Sequence, residues 1–364
     1  MDKIKLRQIC FLFAAMMPLT KLIVYPAMLA YHAKNDLLFS ASANFLLEGT
    51  VIAAVMFLAS RTRLTFYDLL QNTFGKIAAK IVYGAFALFF LFSALLPLLE
   101  QKGFVLQVFY ENVPSFLSFA PFFAVCVFAC VKGFKGIGRA ADIALPVTAV
   151  SLAVILLLAF PEAEFSELLP VGGAGVKNIF TGSLYGLNWF TDCLYPLFFL
   201  GHFEYEKHAA KKVLLSYAAG AAAVLLFLAV FYGIFGDIAL RQINALAQIS
   251  KYTTSFTSLG RIDLLFIFAA ALPLVFYLCV PVQMCVHCVK KVFEKCKPII
   301  PAAIANAMLL TAGVFLKYSF FEVQILFTQK LWWVFAFFAY AAPFLCLFLR
   351  RKESGRFEGV KRDE

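Results

Sequence analysis

The feature that most constrains this chain is the recurrence, along nearly its whole length, of unbroken apolar runs of about 20 residues. Each is long enough to cross a hydrocarbon layer of roughly 30 Å as a helix. Of 364 residues, 63% are hydrophobic, 15% are charged and 44 are Phe. An average soluble chain is about 45–50% apolar and about 25% charged, and no soluble core of this size hides so much apolar surface. Ten runs read as spans: 9–31, 37–59, 77–99, 116–131, 140–160, 180–201, 213–235, 262–287, 299–316 and 331–349. The short alternating segments of a membrane β-barrel are not the pattern. The expected fold is an all-α membrane protein, with one ten-span domain over 1–349 and a basic tail over 350–364.

The formal net charge of +11 acquires meaning from its distribution. Segments expected on the N-terminal side of the membrane (3–7, 61–80, 132–139, 207–212, 290–297 and 350–362) carry 23 of the 32 Lys and Arg residues. The opposite connections carry 8, and Lys21 alone lies inside a span. That bias is the positive-inside pattern of ten helices in a cell membrane with both termini cytoplasmic, so the basic balance reads as topology and no nucleic-acid partner is expected. The first span runs past 20 residues without a clean cleavage site and reads as retained, not as a signal peptide.

Chemistry of other kinds finds no footing. Most of the nine cysteines fall within spans as small apolar residues. Cys285, His287, Cys288 and Cys296 resemble a metal set on paper. Thiols at i and i+3 share a helix face from which His287 points away, so no metal is expected. The run Gly133-Phe-Lys-Gly-Ile-Gly138-Arg139 matches neither phosphate-loop spacing and reads as a tight inner loop. No nucleophile and base are arranged for catalysis, so neither an enzyme nor a cofactor is expected.

What remains is the polar and helix-breaking content of the spans. An ionisable group in hydrocarbon costs about 2.5–3.5 kcal/mol on insertion scales and points to function by default. Lys21 lies near the middle of the first span after Met17-Pro18-Leu19-Thr20, and Pro18, which removes a backbone donor, is expected to break the helix there. The sixth span carries the polar, Gly-interrupted stretch from Thr181 to Asp192, with Pro196 four residues on. Two broken helices five spans apart point to a five-plus-five inverted-repeat bundle with discontinuous helices 1 and 6 and a site between them. Lys21, Thr20 and Pro18 would meet Asn188, Trp189 and Asp192 there. Close helix packing is the plain alternative for the Gly/Ser stretch. Glu48 is deep enough to need a partner and, with Glu100, is a proton or ion-pair candidate, although Glu100 and Lys102 also read as simply wet. Arg261 and Asp263 open the eighth span as an outer gate or as a surface ion pair at a helix N-terminus.

At these residues the chain resembles the spore germination protein family, the multi-span B subunit of nutrient germinant receptors, within the amino acid–polyamine–organocation transporter superfamily. The likeness is carried by Tyr25-Pro26-Ala27, Leu47-Glu48-Gly49, Glu100, Leu168-Leu169-Pro170-Val171 with Gly172-Gly173-Ala174-Gly175, and Gly260-Arg261-Ile262-Asp263, in order over about 340 residues. The resemblance implies the inverted-repeat bundle, a small amino acid or similar nutrient held at helices 1 and 6, and assembly with A and lipoprotein C subunits in the spore inner membrane. Where the superfamily's first helix unwinds at Gly-x-Gly, this chain has Leu19-Thr20-Lys21. Lys21 therefore either supplies the cation for a solute carboxylate or occupies the site as the internal counter-ion of Asp192. The expected function is solute binding at mid-bilayer in a germinant receptor. An autonomous proton-coupled amino acid transporter and a ligand-free membrane scaffold are the alternatives.

Overall fold

With no water to satisfy peptide groups in a bilayer, a spanning chain must bond its backbone internally, and these apolar runs do so as helices. The computed structural model describes residues 3–109, 115–251, 263–316 and 320–345, and no strand occurs among them. Five helical stretches are long and apolar enough to cross a membrane: Tyr25–Arg61, Lys76–Gly103, Phe134–Glu162, Ala209–Arg241 and Pro273–Val292. Ile299–Phe315 taken with Phe320–Lys330 makes a sixth, and Leu6–Thr20, Phe123–Lys132 and Trp332–Leu345 are shorter apolar helices. The segment before Lys330, expected as a plain connection, is helical from Phe320 onward.

The stretch Tyr25–Arg61 is two helices and not one rod. The Tyr25 hydroxyl lies 3.5 Å from Asn44 Nδ2, whereas 19 residues of straight helix would separate them by about 28 Å. The chain doubles back at Lys34–Asp36, a single 3-10 turn entered through Lys34 at φ 49°. Asp36 holds this reversal against the loop before the sixth expected span. Its carboxylate accepts hydrogen bonds from the Gly172 and Ala174 amides at 2.7 and 2.8 Å, and Asn35 donates to the Pro170 carbonyl at 2.6 Å.

The first expected span is broken, but not where the proline suggested. Leu6–Phe11 runs into a π turn, Leu12–Met16, then Met17–Thr20, with Pro18 in its first turn. The wider π turn absorbs the missing Pro18 donor. Unwinding begins three residues later, over Lys21–Val24, and Pro26 opens the next helix, Tyr25–Ala33. The break is fixed from outside: the Leu22 and Ile23 carbonyls accept the Leu246 and Ala245 amides at 3.0 and 2.9 Å. Those amides start the short helix Ala245–Lys251 and have no partner within it, so two incomplete helix ends complete each other.

The sixth expected span is broken as well. Val176–Gly186 tightens into 3-10 at Leu187–Trp189, opens at Phe190 and Thr191, turns again at Asp192–Leu194 and resumes as Tyr195–Phe199. Both interrupted segments lie inside the bundle, with Leu12, Leu22, Tyr25, Phe190 and Leu194 fully buried. Ala209–Phe235 packs against Leu37–Arg61 and the π turn, while Asp263–Val292 packs against Lys76–Ser93 and Phe134–Ala159. Gly220 lets the first of these contacts close: a Cβ there would stand 2.7 Å from the Phe13 carbonyl oxygen and 2.8 Å from the Pro18 ring.

The basic connections expected on one side of the membrane meet at one end of the bundle. Lys3 pairs with Glu204 at 2.6 Å, and Lys76 and Lys80 share Glu294 at 2.9 and 3.2 Å. These pairs are exposed and contribute little stability by themselves; they mark a wet end.

The packing at Gly220 predicts that Gly220→Val lowers the thermal unfolding midpoint of detergent-solubilised protein, with an overpacking cost of about 1–3 kcal/mol. Gly84→Ala, at a helix position with open space around the added carbon, leaves the midpoint unchanged or raises it.

Candidate functional site

The two breaks bring three ionisable side chains together in the interior. Lys21 is 2% exposed and donates from Nζ to Asp192 Oδ2 at 2.7 Å, with Glu48 Oε2 at 3.9 Å. Its ammonium also lies 4.8 Å from the centroid of the Phe190 ring, a cation–π contact in a dry setting. The Met17 carbonyl, exposed by the helix end, stands at 3.5 Å.

Each carboxylate has its own tyrosine. Asp192 Oδ1 accepts the Tyr277 hydroxyl. The Tyr217 hydroxyl lies 2.9 Å from Glu48 Oε2 and 2.9 Å from the Phe45 carbonyl, so its single proton serves one of them at a time. Glu48 Oε1 is buried without a hydrogen-bond partner. A third tyrosine, Tyr340, donates to the Phe190 carbonyl at 2.8 Å and satisfies the backbone freed by the second break. One ammonium therefore faces two carboxylates. With all three ionised the cluster carries a net charge of −1, and with one proton added it is neutral.

Beside the cluster is a cavity of about 10 Å³ lined by Thr20, Asn188, Trp189, Thr191, Tyr195 and Tyr277, among others. That is room for about one water molecule and far too little for an amino acid. Asn188 Oδ1 has no partner there. Trp189, in the same lining, donates from its indole nitrogen to Glu100 Oε1 at 3.0 Å. The site is closed, with Lys21 held between Asp192 and Glu48.

A model of the family described as spore germination protein matches residues 41–321. The chain belongs to the spore germination protein family. No curated protein matches the chain by sequence. Among solved structures, this family member is similar to Mhp1, a nucleobase-cation-symport-1 family transporter, in a closed conformation with bromovinylhydantoin bound. The identity is 13% and the TM-score 0.51, over 86% of this chain and 75% of the transporter. An inward-facing conformation of Mhp1 is similar at 13% identity and a TM-score of 0.52, over 96% of this chain and 74% of that one. The shared property is the fold, that of a transporter-like membrane protein.

The remaining expected site residues of this spore germination protein divide clearly. Pro18 packs on the Ala209–Phe235 helix at Gly220, and the Thr20 hydroxyl donates to the Met17 carbonyl at 3.1 Å. Glu100, Gln101 and Lys102 are not wet: they are 2%, 5% and 6% exposed, and Lys102 donates to the Gly313 carbonyl at 2.6 Å. The helix does not end before them but continues from Leu95 to Phe109, carrying all three inward. Arg261 lies outside the described residues, and Asp263 is the first residue of the Asp263–Val292 helix. His287 meets the rings of Phe134 and His202, with centroids at 4.8 and 5.4 Å, while Cys285 and Cys288 are buried in the core.

Sequence reasoning missed Tyr217, Tyr277, Tyr340, Phe190 and Asp36. The three tyrosines had one available signal: a buried phenol needs a polar partner, so a tyrosine amid aliphatic neighbours in a span marks where a polar group must face it. Asp36 lies in the connection between the first two expected spans, where no local pattern marks it, because its partners Gly172 and Ala174 are about 137 residues away.

Removing Lys21 leaves the Asp192 and Glu48 carboxylates uncompensated, a cost of about 3–5 kcal/mol, whereas removing Asp192 leaves Lys21 with Glu48 as its counter-ion. Lys21→Met is therefore expected to lower the unfolding midpoint steeply, and Asp192→Asn by less. Lys21→Met combined with Asp192→Leu, which leaves Glu48 to take up a proton, recovers part of the loss, as a double-mutant cycle in detergent will read. Independent, additive losses would show that the two groups do not stabilise each other.

Proposed function

We propose that this chain is the solute-binding membrane subunit of a spore nutrient germinant receptor. In this reading it is a ten-span bundle of two inverted five-helix repeats, residues 1–349, followed by a basic tail over 350–364, with both termini cytoplasmic. It binds a small amino-acid-like solute at mid-bilayer and acts with an A subunit and a lipoprotein C subunit in the spore inner membrane. Family membership supports the setting, and the likeness to a transporter fold supports the bundle. The observation that carries the reading is the meeting of both helix breaks at Lys21 and Asp192.

Lys21 fills the gap between the breaks as the counter-ion of Asp192. A zwitterionic solute supplies both charges at once, its carboxylate to Lys21 and its ammonium to Asp192 or Glu48. Opening the internal pair is then offset by two new charge-assisted bonds. Thr20, Asn188 and Trp189 lie around the adjoining space, and the unpartnered Asn188 oxygen is an acceptor for the solute ammonium. The solute shifts the bundle toward an open state by no more than its difference in affinity for the two states, and partner subunits read that shift. Arg261 and Asp263 are proposed as the outer gate.

The test is germination of spores carrying Lys21→Arg or Asp192→Glu, which keep the charges but move them. Nutrient-triggered germination is expected to fall at least tenfold while the subunit stays in the membrane at wild-type level. Full response with correct abundance would remove the pair from the mechanism.

Glu48 favours a second reading, an autonomous proton-coupled transporter. It is a buried carboxylate with one oxygen unpartnered, next to a cluster that one proton makes neutral. Proteoliposomes with an inward proton gradient would then accumulate labelled amino acid, and Glu48→Gln would abolish accumulation while exchange persists. A ligand-free scaffold would show neither response.

A further inference from the structure

A groove of about 580 Å³ runs along the seam between the spanning stretch Lys76–Gly103 and the helix Ile299–Phe315, with Val334 and Phe338 on a third side. Every residue in its wall is apolar. Leu88 and Met308 in that wall are 69% and 53% exposed, so the groove lies on the outer surface of the bundle, where spanning helices meet hydrocarbon.

A second cavity, of about 380 Å³, continues the same seam. Leu88, Phe92 and Leu95 in the first wall are followed by Leu99 and Gly103 in the second, and Met308 and Ala312 are followed by Leu316. Steps of three and four residues keep to one face of a helix, so both cavities lie on one side of the helix pair. The two helices are tied together at this level by Lys102, whose Nζ donates to the Gly313 carbonyl at 2.6 Å.

At the second cavity the wall becomes polar and basic, with Lys102, Arg241, Asn244 and Gln248. Gly103 and Arg241 are the last residues of two spanning stretches, Lys76–Gly103 and Ala209–Arg241, which puts this wall at a membrane surface. Arg241 is exposed, and its guanidinium makes no ion pair or hydrogen bond among the described residues. Glu100 offers no counter-charge to the opening, because one of its oxygens is held by the Trp189 indole and the other is buried.

Length and charge select one class of ligand. From Leu88 to Gly103 the helix rises by about 22 Å. Half of a bilayer that measures about 40–45 Å with its headgroups is about 20–22 Å. The seam is therefore one leaflet long, apolar for most of that length and cationic at one end. A soluble anion would use Arg241 and leave the groove unexplained, and a neutral lipid would leave Arg241 unmatched. A phosphate takes the guanidinium fork in a bidentate pair, and the added charge of Lys102 favours a headgroup with no ammonium of its own.

We infer that the seam between Lys76–Gly103 and Ile299–Phe315 is a binding site for an anionic phospholipid, with an acyl chain in the groove and the phosphate at Arg241. Basic pockets between spanning helices hold anionic headgroups on the same principle. The inference concerns a different face and a different ligand class from the solute-binding reading, and neither depends on the other.

The experiment titrates the purified full-length protein, in a neutral detergent, with dioleoylphosphatidylglycerol, with dioleoylphosphatidylcholine, and with glycerol phosphate as a headgroup without tails. Native mass spectrometry reads the first lipid bound, and thermal shift reads stabilisation. Wild type is expected to hold phosphatidylglycerol about fivefold more tightly than phosphatidylcholine, the effect of about one basic residue on an anionic lipid, and to ignore glycerol phosphate. High salt should shrink that preference. Arg241→Gln is expected to abolish it while phosphatidylcholine binding is unchanged. Ala312→Phe, which fills the groove from a partly exposed helix position, should weaken both lipids at least fivefold and keep their ratio. Arg241→Gln alters an exposed side chain, so it decides the matter if Ala312→Phe fails to fold. Equal binding of the two lipids by wild type overturns the inference, as does a preference that survives Arg241→Gln. Glycerol phosphate binding as tightly as phosphatidylglycerol would show a pocket for soluble anions instead. Lipid binding untouched by Ala312→Phe would show lipid gathered on the bundle at large. None of these outcomes bears on the Lys21–Asp192 centre.

Discussion

The structure is organised around the requirement that an ammonium in oil be neutralised. Placing Lys21 at the depth of the first break costs about 2.5–3.5 kcal/mol on insertion scales. Two unit charges about 4 Å apart attract by about 4 kcal/mol at an effective dielectric constant of about 20. One carboxylate at the distance of Glu48 offsets the cost of Lys21 but not its own, so the closer Asp192 and the tyrosine hydroxyls on both carboxylates are needed as well. Two carboxylates rather than one leave the cluster with one negative charge in excess when all three groups are ionised.

Backbone accounting imposes the next condition. Unwinding four residues of one helix and several of another frees carbonyls that lipid cannot satisfy. The Ala245–Lys251 helix meets this demand at Leu22 and Ile23, and Tyr340 meets it at Phe190. Each break is therefore held by an element far away in sequence. These bonds tie the two broken segments to the helices around them. The same economy explains the latch at Asp36, where one carboxylate ties the reversal after the first broken helix to the loop that precedes the second.

Two cavities of different character lie on either side of Trp189. One is nearly filled and belongs to the ion-paired centre; the other is open toward the Arg241 end and has Glu100 in its wall. Trp189 lines the first and binds the carboxylate of the second.

Much of this was legible in the chain itself. Hydrophobic runs and the placement of Lys and Arg identify a helical membrane protein and the helices that matter, because both signals are local and each residue reports its own preference for oil or water. A lysine and an aspartate stranded in such runs must find partners, so Lys21 and Asp192 were readable as a site without knowing how they meet. Other features were not readable. Pro18 predicted a break, but its missing donor was absorbed by a π turn and the unwinding moved to Lys21, since what stabilises the break is a pair of amides some 220 residues away. Glu100 looked hydrated because it follows a proline near the end of an apolar run, yet the helix carries on and buries it against Trp189. Composition and periodicity fix which residues enter the membrane. Which polar groups face one another there, and which oxygen is left without a partner, depends on long-range packing, and only the folded bundle decides it.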